Sequence, residues 1–188
     1  MKLTPSPKEW LPHVLANFEQ FLQDHASCEK KASGMAMNMA SHYPDKPKLL
    51  SAMADLAVEE LSHYREVIRL LLAKGLHPAA DEKDHYVRQL NHLIRRGSDL
   101  FLVDRLLIAA VIEARGAERF ALIAHALPEG RDKIFYNSIA TSEARHWKLF
   151  IELAGEFATA TTLEERLNEL VGLEGDIMLS MPIRAALH

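Results

Sequence analysis

The sequence predicts an all-α fold: four long helices in a bundle, one long connection at its centre, and short helices added. Three observations predict it. Apolar residues recur at helical spacing through most of the chain. Turn-forming residues are sparse and fall largely between the periodic segments. No stretch shows the two-residue alternation of a half-buried strand.

The first long helix is expected from about Lys8 to His42, stopping at HYPDKPK, where two prolines forbid continuation. The second runs from about Lys48 to Lys74 and ends at KGLHP, a glycine followed by a proline. A shorter helix covers roughly Lys83 to Arg96. The third long helix runs from about Asp99 to Leu127, with Ser98 as its N-cap, until LPEGR breaks it. The fourth covers roughly Asp132 to Glu156. A last helix follows Thr162, from about Leu163 to Leu173, before a weakly patterned tail. Short turns make the outer pairs antiparallel hairpins. The long connection between them is the one crossover of a ferritin-like four-helix bundle. One domain is expected over residues 1–188, with the core bundle at 8–156 and the C-terminal helix and tail at 162–188.

Bulk properties narrow the function. Hydrophobic residues make up 48% and charged residues 26%, the balance of an ordinary globular chain. A formal charge of −4 excludes nucleic-acid binding by bulk positive charge, but not by a local basic patch. The single cysteine, Cys28, excludes an internal disulfide and a four-cysteine zinc or iron–sulfur site. The opening MKLTPSPKEW lacks the apolar core of a signal peptide. No run of about 18 apolar residues could span a membrane. A cytoplasmic location is expected.

One oddity recurs. In MADLAVEELSHYREVIRLLL, Met53, Leu56, Ala57, Tyr64, Val67 and Leu71 form an apolar stripe, and Glu60 continues it with His63 one turn on. The fourth helix repeats the pattern in SEARHW. There Glu143 and His146 share a face with Tyr136, Ile139, Ala140, Trp147 and Phe150. Glu113 stands in the middle of LLIAAVIEARGAERF, which is apolar almost all round. Glu29 shares a face with Phe18, Leu22, Ala32 and Ala36. The heights also match. Glu29 and Glu60 are 31 positions apart, with their midpoint at Pro44–Asp45; Glu113 and Glu143 are 30 apart, with theirs at Pro128. Each carboxylate thus stands roughly 20 Å from its own turn, at the level of its partner.

Four carboxylates and two imidazoles in a bundle core need cations, because buried like charges are costly. Two divalent metals fit, and the set is that of the di-iron and di-manganese carboxylate proteins. Ligand type alone does not separate iron from manganese. His25, one turn before Glu29, is a candidate to bond that ligand. Cys28 is expected to be a small buried neighbour of the site. Met35, Met37 and Met39 form no single stripe, and the other histidines lack such company. Ala32, Ala36, Ala109 and Gly116 would leave room for an apolar group. Iron oxidation and storage, manganese chemistry and hydroxylation of an organic substrate are the uses such a centre has.

The phrases SCEKKASGMAMNMASHYPDKPKLLSAMADLAVEELSHYREVIRLLLAKG, DRLLIAAVIEARGAERFALIA and SEARHWKLF resemble the MiaE family of tRNA hydroxylases, over about residues 8 to 156. The resemblance implies a bacterial non-haem di-iron monooxygenase acting on 2-methylthio-isopentenyladenosine beside the anticodon of tRNA. O2 would be the co-substrate, and two electrons would come from a ferredoxin- or flavodoxin-type reductase system. The family's ligands match Glu29, Glu60, His63, Glu113, Glu143 and His146, which act through the metals. The alternative is a ferritin-like iron-binding protein without an organic substrate. RNA contacts are expected from Lys30, Lys31, Arg95, Arg96, Arg115 and Arg119. Lys46, Lys48, Arg131, Lys133 and Arg145 are further candidates. Monomer and dimer both stay open.

Overall fold

The structure, a computed structural model, describes the backbone of residues 1–188 and all side chains except those of residues 98 and 99. All secondary structure among the described residues is helical: α1 Trp10–Ala16, α2 Phe18–His42, α3 Pro47–Ala73, α4 His85–His92, α5 Ser98–Ala126, α6 Arg131–Ala154 and α7 Ala160–Ser180. The all-α expectation therefore holds, and both predicted hairpins form. Helix α2 packs along α3, and α5 along α6. The chain divides into two compact units. One is Met1–Pro12 with Lys83–Arg184 and His188; the other is His13–Glu82 with Ala185–Leu187.

The α2–α3 hairpin buries Phe21, Leu22, Ala36 and Met39 on one helix and Met53, Leu56, Val67 and Leu71 on the other. Pro47 opens α3, where its missing N–H costs nothing. Gly75 closes it with φ 72°, a left-handed conformation that glycine reaches without strain. In the other unit, α5 is buried on nearly every side from Leu102 to Val111, as an all-round apolar helix should be.

Three helix boundaries differ from the sequence expectation. The first helix is not continuous from Lys8 to His42. Asn17 leaves helical dihedrals, at φ −127° and ψ 43°. Its side-chain amide donates to the His13 carbonyl at 2.9 Å, the local competition by which asparagine interrupts helices. The short helix is His85–His92 rather than Lys83–Arg96. The Asp84 carboxylate caps its start, accepting from the Val87 N–H at 2.9 Å. The chain leaves the helix before Arg95, whose backbone N–H and guanidinium are both drawn to Asp104, at 2.9, 3.0 and 2.7 Å. The last helix starts after Thr159, not Thr162, and runs on to Ser180 through the supposed tail. The expected Ser98 cap lies outside the described side chains.

The tail reads as weakly patterned because a carboxylate and a glycine, Glu174 and Gly175, stand among its buried positions. Glu174 is fully buried. Its carboxylate accepts two bonds from the Arg115 guanidinium at 2.8 Å each and one from the Tyr86 hydroxyl at 2.9 Å. Burial works against the Arg115 charge, but Glu174 beside it raises the pKa above even the ordinary arginine value. The same guanidinium donates to the Thr4 carbonyl at 2.9 Å and to Glu118 at 3.1 Å. Glu118 in turn accepts from the Ser6 N–H and hydroxyl. A Cβ on Gly175 would stand 2.5 Å from Thr4 Oγ1, so the N-terminal segment runs hard against α7 at a residue with no side chain. A second buried carboxylate, Asp104, accepts from Arg95 and Arg166. Burial opposes its charge, and the two guanidiniums overcome this and lower its pKa.

Candidate metal centre

In the α2–α3 hairpin, Glu29 and Glu60 are 3% and 1% exposed, so neither is solvated. Both reach the same atom of His63. Its Nδ1 lies 3.4 Å from Glu29 Oε2 and 3.3 Å from Glu60 Oε2. The α5–α6 hairpin repeats the arrangement. His146 Nδ1 lies 3.4 Å from Glu143 Oε2 and 4.0 Å from Glu113 Oε2. Glu113, Glu143 and His146 are all buried. In each trio, one donor atom per residue lies within 4.8 Å of the others. Helical spacing brings each Glu-x-x-His pair together, and the antiparallel register brings the third carboxylate to the same height.

The separations test whether such trios fit a metal. Bonds of about 2.0–2.2 Å to N and O donors, at angles of roughly 90–110°, put adjacent donors about 2.8–3.6 Å apart. Three of the four separations, 3.3, 3.4 and 3.4 Å, lie in that range, and the 4.0 Å pair is looser. They exceed the 2.7–2.9 Å of a charge-assisted hydrogen bond. Carboxylate oxygen with imidazole nitrogen is also the donor chemistry of iron and manganese. The residues fit the group.

Electrostatics points the same way. Burial works against a charged Glu29, yet hydrogen bonds from His25 and His63 outweigh it and hold its pKa well below the carboxylate range. Burial also works against a charged His63, but Glu29 and Glu60 push its pKa up to about 9. Two anionic oxygens thus converge where positive charge is required.

His25 is fully buried, and its Nε2 stands 2.6 Å from Glu29 Oε1. An ionised carboxylate can only accept, so Nε2 donates. Partners of this kind orient ligands and tune them. In the other hairpin the residues four before Glu113 and Glu143 are Ala109 and Ile139, neither of them an imidazole. Gly116 sits beside the second trio, where an added Cβ would stand 3.9 Å from Glu143 Cγ. Ala36 and Ala109 are buried, while Ala32 is half-buried.

Several expectations need correction. Cys28 is half-buried rather than buried, and its thiol lies 3.7 Å from Asp24 Oδ2. Of the methionines, Met39 is core and Met37 is exposed. Trp147 and Tyr64 are half-buried, not core. Arg115 and Arg119 do not stand on a surface that RNA could touch. Arg115 is enclosed by Glu174, Glu118 and Thr4; Arg119 is 5% exposed and lies 4.6 Å from the centre of the Trp10 ring. Burial, with the Arg115 charge nearby, lowers the Arg119 pKa to about 10. The remaining cations sort by partner. Lys30 pairs with Asp81 at 2.7 Å, Lys31 donates to the Glu82 carbonyl at 2.7 Å, and Arg95 is held by Asp104. Arg96 is exposed.

Sequence reasoning missed Asp104 and Glu174 altogether. Each stands at an apolar-phase position and pairs with an arginine far away in sequence, Asp104 with Arg166 and Glu174 with Arg115, although Asp104 also has Arg95 nearby. The phase alone was the available signal.

Comparison with known proteins adds to this geometry. The family model described as tRNA-(MS[2]IO[6]A)-hydroxylase (MiaE) matches residues 1–188. The tRNA 2-(methylsulfanyl)-N(6)-isopentenyladenosine(37) hydroxylase of Pseudomonas putida is 36% identical over 153 residues, covering 81% of this chain and 74% of the relative. The enzyme of the same name from Salmonella typhimurium is 31% identical over 173 residues, covering 91% of this chain and 63% of the relative. Among solved structures, Protein 43 with aldehyde deformylating oxygenase activity from Synechococcus superposes with a TM-score of 0.92 at 33% identity. That match covers 98% of this chain and 93% of the other.

Proposed function

The chain belongs to the MiaE family of tRNA hydroxylases, and from that premise we propose that it hydroxylates the isopentenyl group of 2-methylthio-isopentenyladenosine in tRNA. Two iron ions would be held by Glu29, Glu60 and His63 of one hairpin and by Glu113, Glu143 and His146 of the other. When bound, those ions supply the chemistry: one atom of O2 enters a substrate C–H bond, and the other leaves as water with two electrons and two protons from outside. A ferredoxin- or flavodoxin-type system is the expected donor. No helix among the described residues is long and apolar enough to cross a membrane, and the expected location is the cytoplasm.

The observation that carries the reading is the repeated trio, with each histidine Nδ1 3.3–3.4 Å from the carboxylate one turn before it. The chain's own residues do the rest. Against the effect of burial, hydrogen bonds from His25 and His63 favour the ionised form of Glu29, the form that offers oxygen to a metal. His25 fixes one Glu29 oxygen by its Nε2–H and leaves the other turned to His63. Burial of the trios keeps bulk water from quenching reactive chemistry. Gly116 leaves open the space beside Glu143 that a larger side chain would fill.

The test is nucleoside mass analysis of bulk tRNA from cells lacking such a hydroxylase, with and without this protein. The isopentenyl-type adenosine should become one oxygen heavier. An unchanged nucleoside, with purified protein that binds two irons, would remove the tRNA substrate and leave iron oxidation as the reading.

A further inference from the structure

Helix α6 carries an outer face that the metal centre does not use. Between Arg131 and Lys148 its cations are Arg131, Lys133, Arg145 and Lys148, and its acids are only Asp132 and the buried Glu143. Within that span four cations stand against one surface carboxylate, Asp132, with Glu129 just outside it, on a chain whose net charge is −4. Arg131, Ser138, Thr141, Arg145 and Lys148 are exposed and recur at helical spacing, so they share one face. Ile134, on the same line, is 71% exposed. Lys133 is held by Glu129 at 2.6 Å, and the Arg145 guanidinium reaches back to Ser142.

Round the helix from this face, reached from it only by Lys148, lies an aromatic ring. Trp147 is half-buried, with Lys148 Nζ 5.5 Å from its ring centre. Its indole lines a cavity of about 260 Å3, whose other walls include Leu3, Pro5, Ala114 and Glu118. That volume is near the low end of small-ligand pockets, roughly 300 Å3 upward, and suits one flat ring system. The Glu118 carboxylate in its wall is already engaged by Ser6 and Arg115.

Cations at both ends of an exposed helix face, with an aromatic next to Lys148 that walls an open cavity, are the equipment of single-stranded nucleic-acid binding. Cations track phosphates, and an indole stacks a base that has left the helix. We propose that the outer face of α6, from Arg131 to Lys148, is the surface that takes the single-stranded loop of the RNA substrate, with one base stacked on Trp147 in the adjoining cavity. This rests on the tRNA reading above and adds the docking surface to it. Trp147 directly follows the ligand His146, with Cα atoms about 3.8 Å apart. A loop anchored there keeps its neighbouring nucleotide close to the second trio.

The experiment uses the full chain and a synthetic anticodon stem-loop RNA bearing an isopentenyl adenosine. The chain has two tryptophans, and Trp10 is 2% exposed, so quenching of tryptophan emission reports Trp147. Wild-type protein should bind the stem-loop with quenching, and Trp147→Phe should abolish the quench. Trp147→Ala should weaken binding by about 5- to 150-fold, the range for one lost stacked base. The double variant R145E/K148E should weaken it by at least roughly tenfold and lower the slope of log affinity against log salt by about 1.4–1.8. Helicity and iron content are measured on every variant, so misfolding is seen as such. The surface is refuted if R145E/K148E, folded and iron-loaded, keeps wild-type affinity and salt slope. It is refuted too if that variant binds RNA normally but is no longer reduced by an acidic flavodoxin-type donor, since the face then docks a protein. Failure of wild-type protein itself to bind the stem-loop removes the tRNA reading together with the surface.

Discussion

Replacing Glu174 by leucine removes the centre of a deeply buried polar network. Glu174 and Arg115 are both 0% exposed, and three bonds of 2.8–2.9 Å end on the carboxylate. Breaking one side of a buried pair costs about 3–5 kcal/mol, because the surviving charge keeps its desolvation penalty. Here Arg115 retains Glu118 at 3.1 Å and the Thr4 carbonyl at 2.9 Å, which places the expected loss in the lower part, about 3–4 kcal/mol. At about 2–4 °C per kcal/mol for a chain of this size, Tm should fall by roughly 6–16 °C. The assay is thermal unfolding followed by far-ultraviolet circular dichroism, with iron content as the check on the metal centre. The double variant Arg115→Leu/Glu174→Leu should recover most of the loss, since no buried charge is then abandoned. A drop of less than about 1 kcal/mol for Glu174→Leu, the size of an exposed pair, would refute the reasoning.

Two further outcomes can be checked on the purified protein. Equilibrium iron titration should show weaker binding for Glu113→Ala, and for His25→Leu a loss of roughly 10–100-fold, because the bond that orients Glu29 is gone; native affinity in both would remove them from the centre. Glycine-to-alanine changes should act with opposite sign at two helical sites in urea unfolding. Gly116→Ala should stabilise by about 0.5–1 kcal/mol, its Cβ meeting neighbours only at 3.9 Å, while Gly175→Ala should destabilise, its Cβ facing Thr4 Oγ1 at 2.5 Å.

The candidate metal centre was legible because its residues are out of place where they stand. Glu60 in a stripe with Leu56 and Val67 is an exception that local periodicity exposes, and equal distances from a turn can be counted along the chain. The hairpins were legible for the same reason: their partners are neighbours in sequence. What stayed hidden depends on distant residues. Arg115 looks like any helical arginine until Glu174, 59 positions on, takes its guanidinium. That one pairing removed an RNA contact from the expected set and turned a featureless tail into a buried helix. Asn17 was hidden differently. Its break comes from one side-chain bond to His13, and the apolar pattern continues on both sides.

The pinning of Thr4 and Ser6 onto Arg115, Glu118 and Gly175 also bears on how the protein is made. Thr4 precedes Glu174 by 170 positions. At about 5–20 residues per second, a ribosome delivers the second roughly 10–30 seconds after the first. The hairpins can close on the nascent chain within that interval, but the N-terminal segment has no completed seat until α7 has emerged. Residues 1–7 are therefore synthesised early and seated late, and until α7 emerges Arg115 has Glu118 but not Glu174 as a carboxylate partner. That interval is when the newborn chain has most need of protection from proteases and from its neighbours.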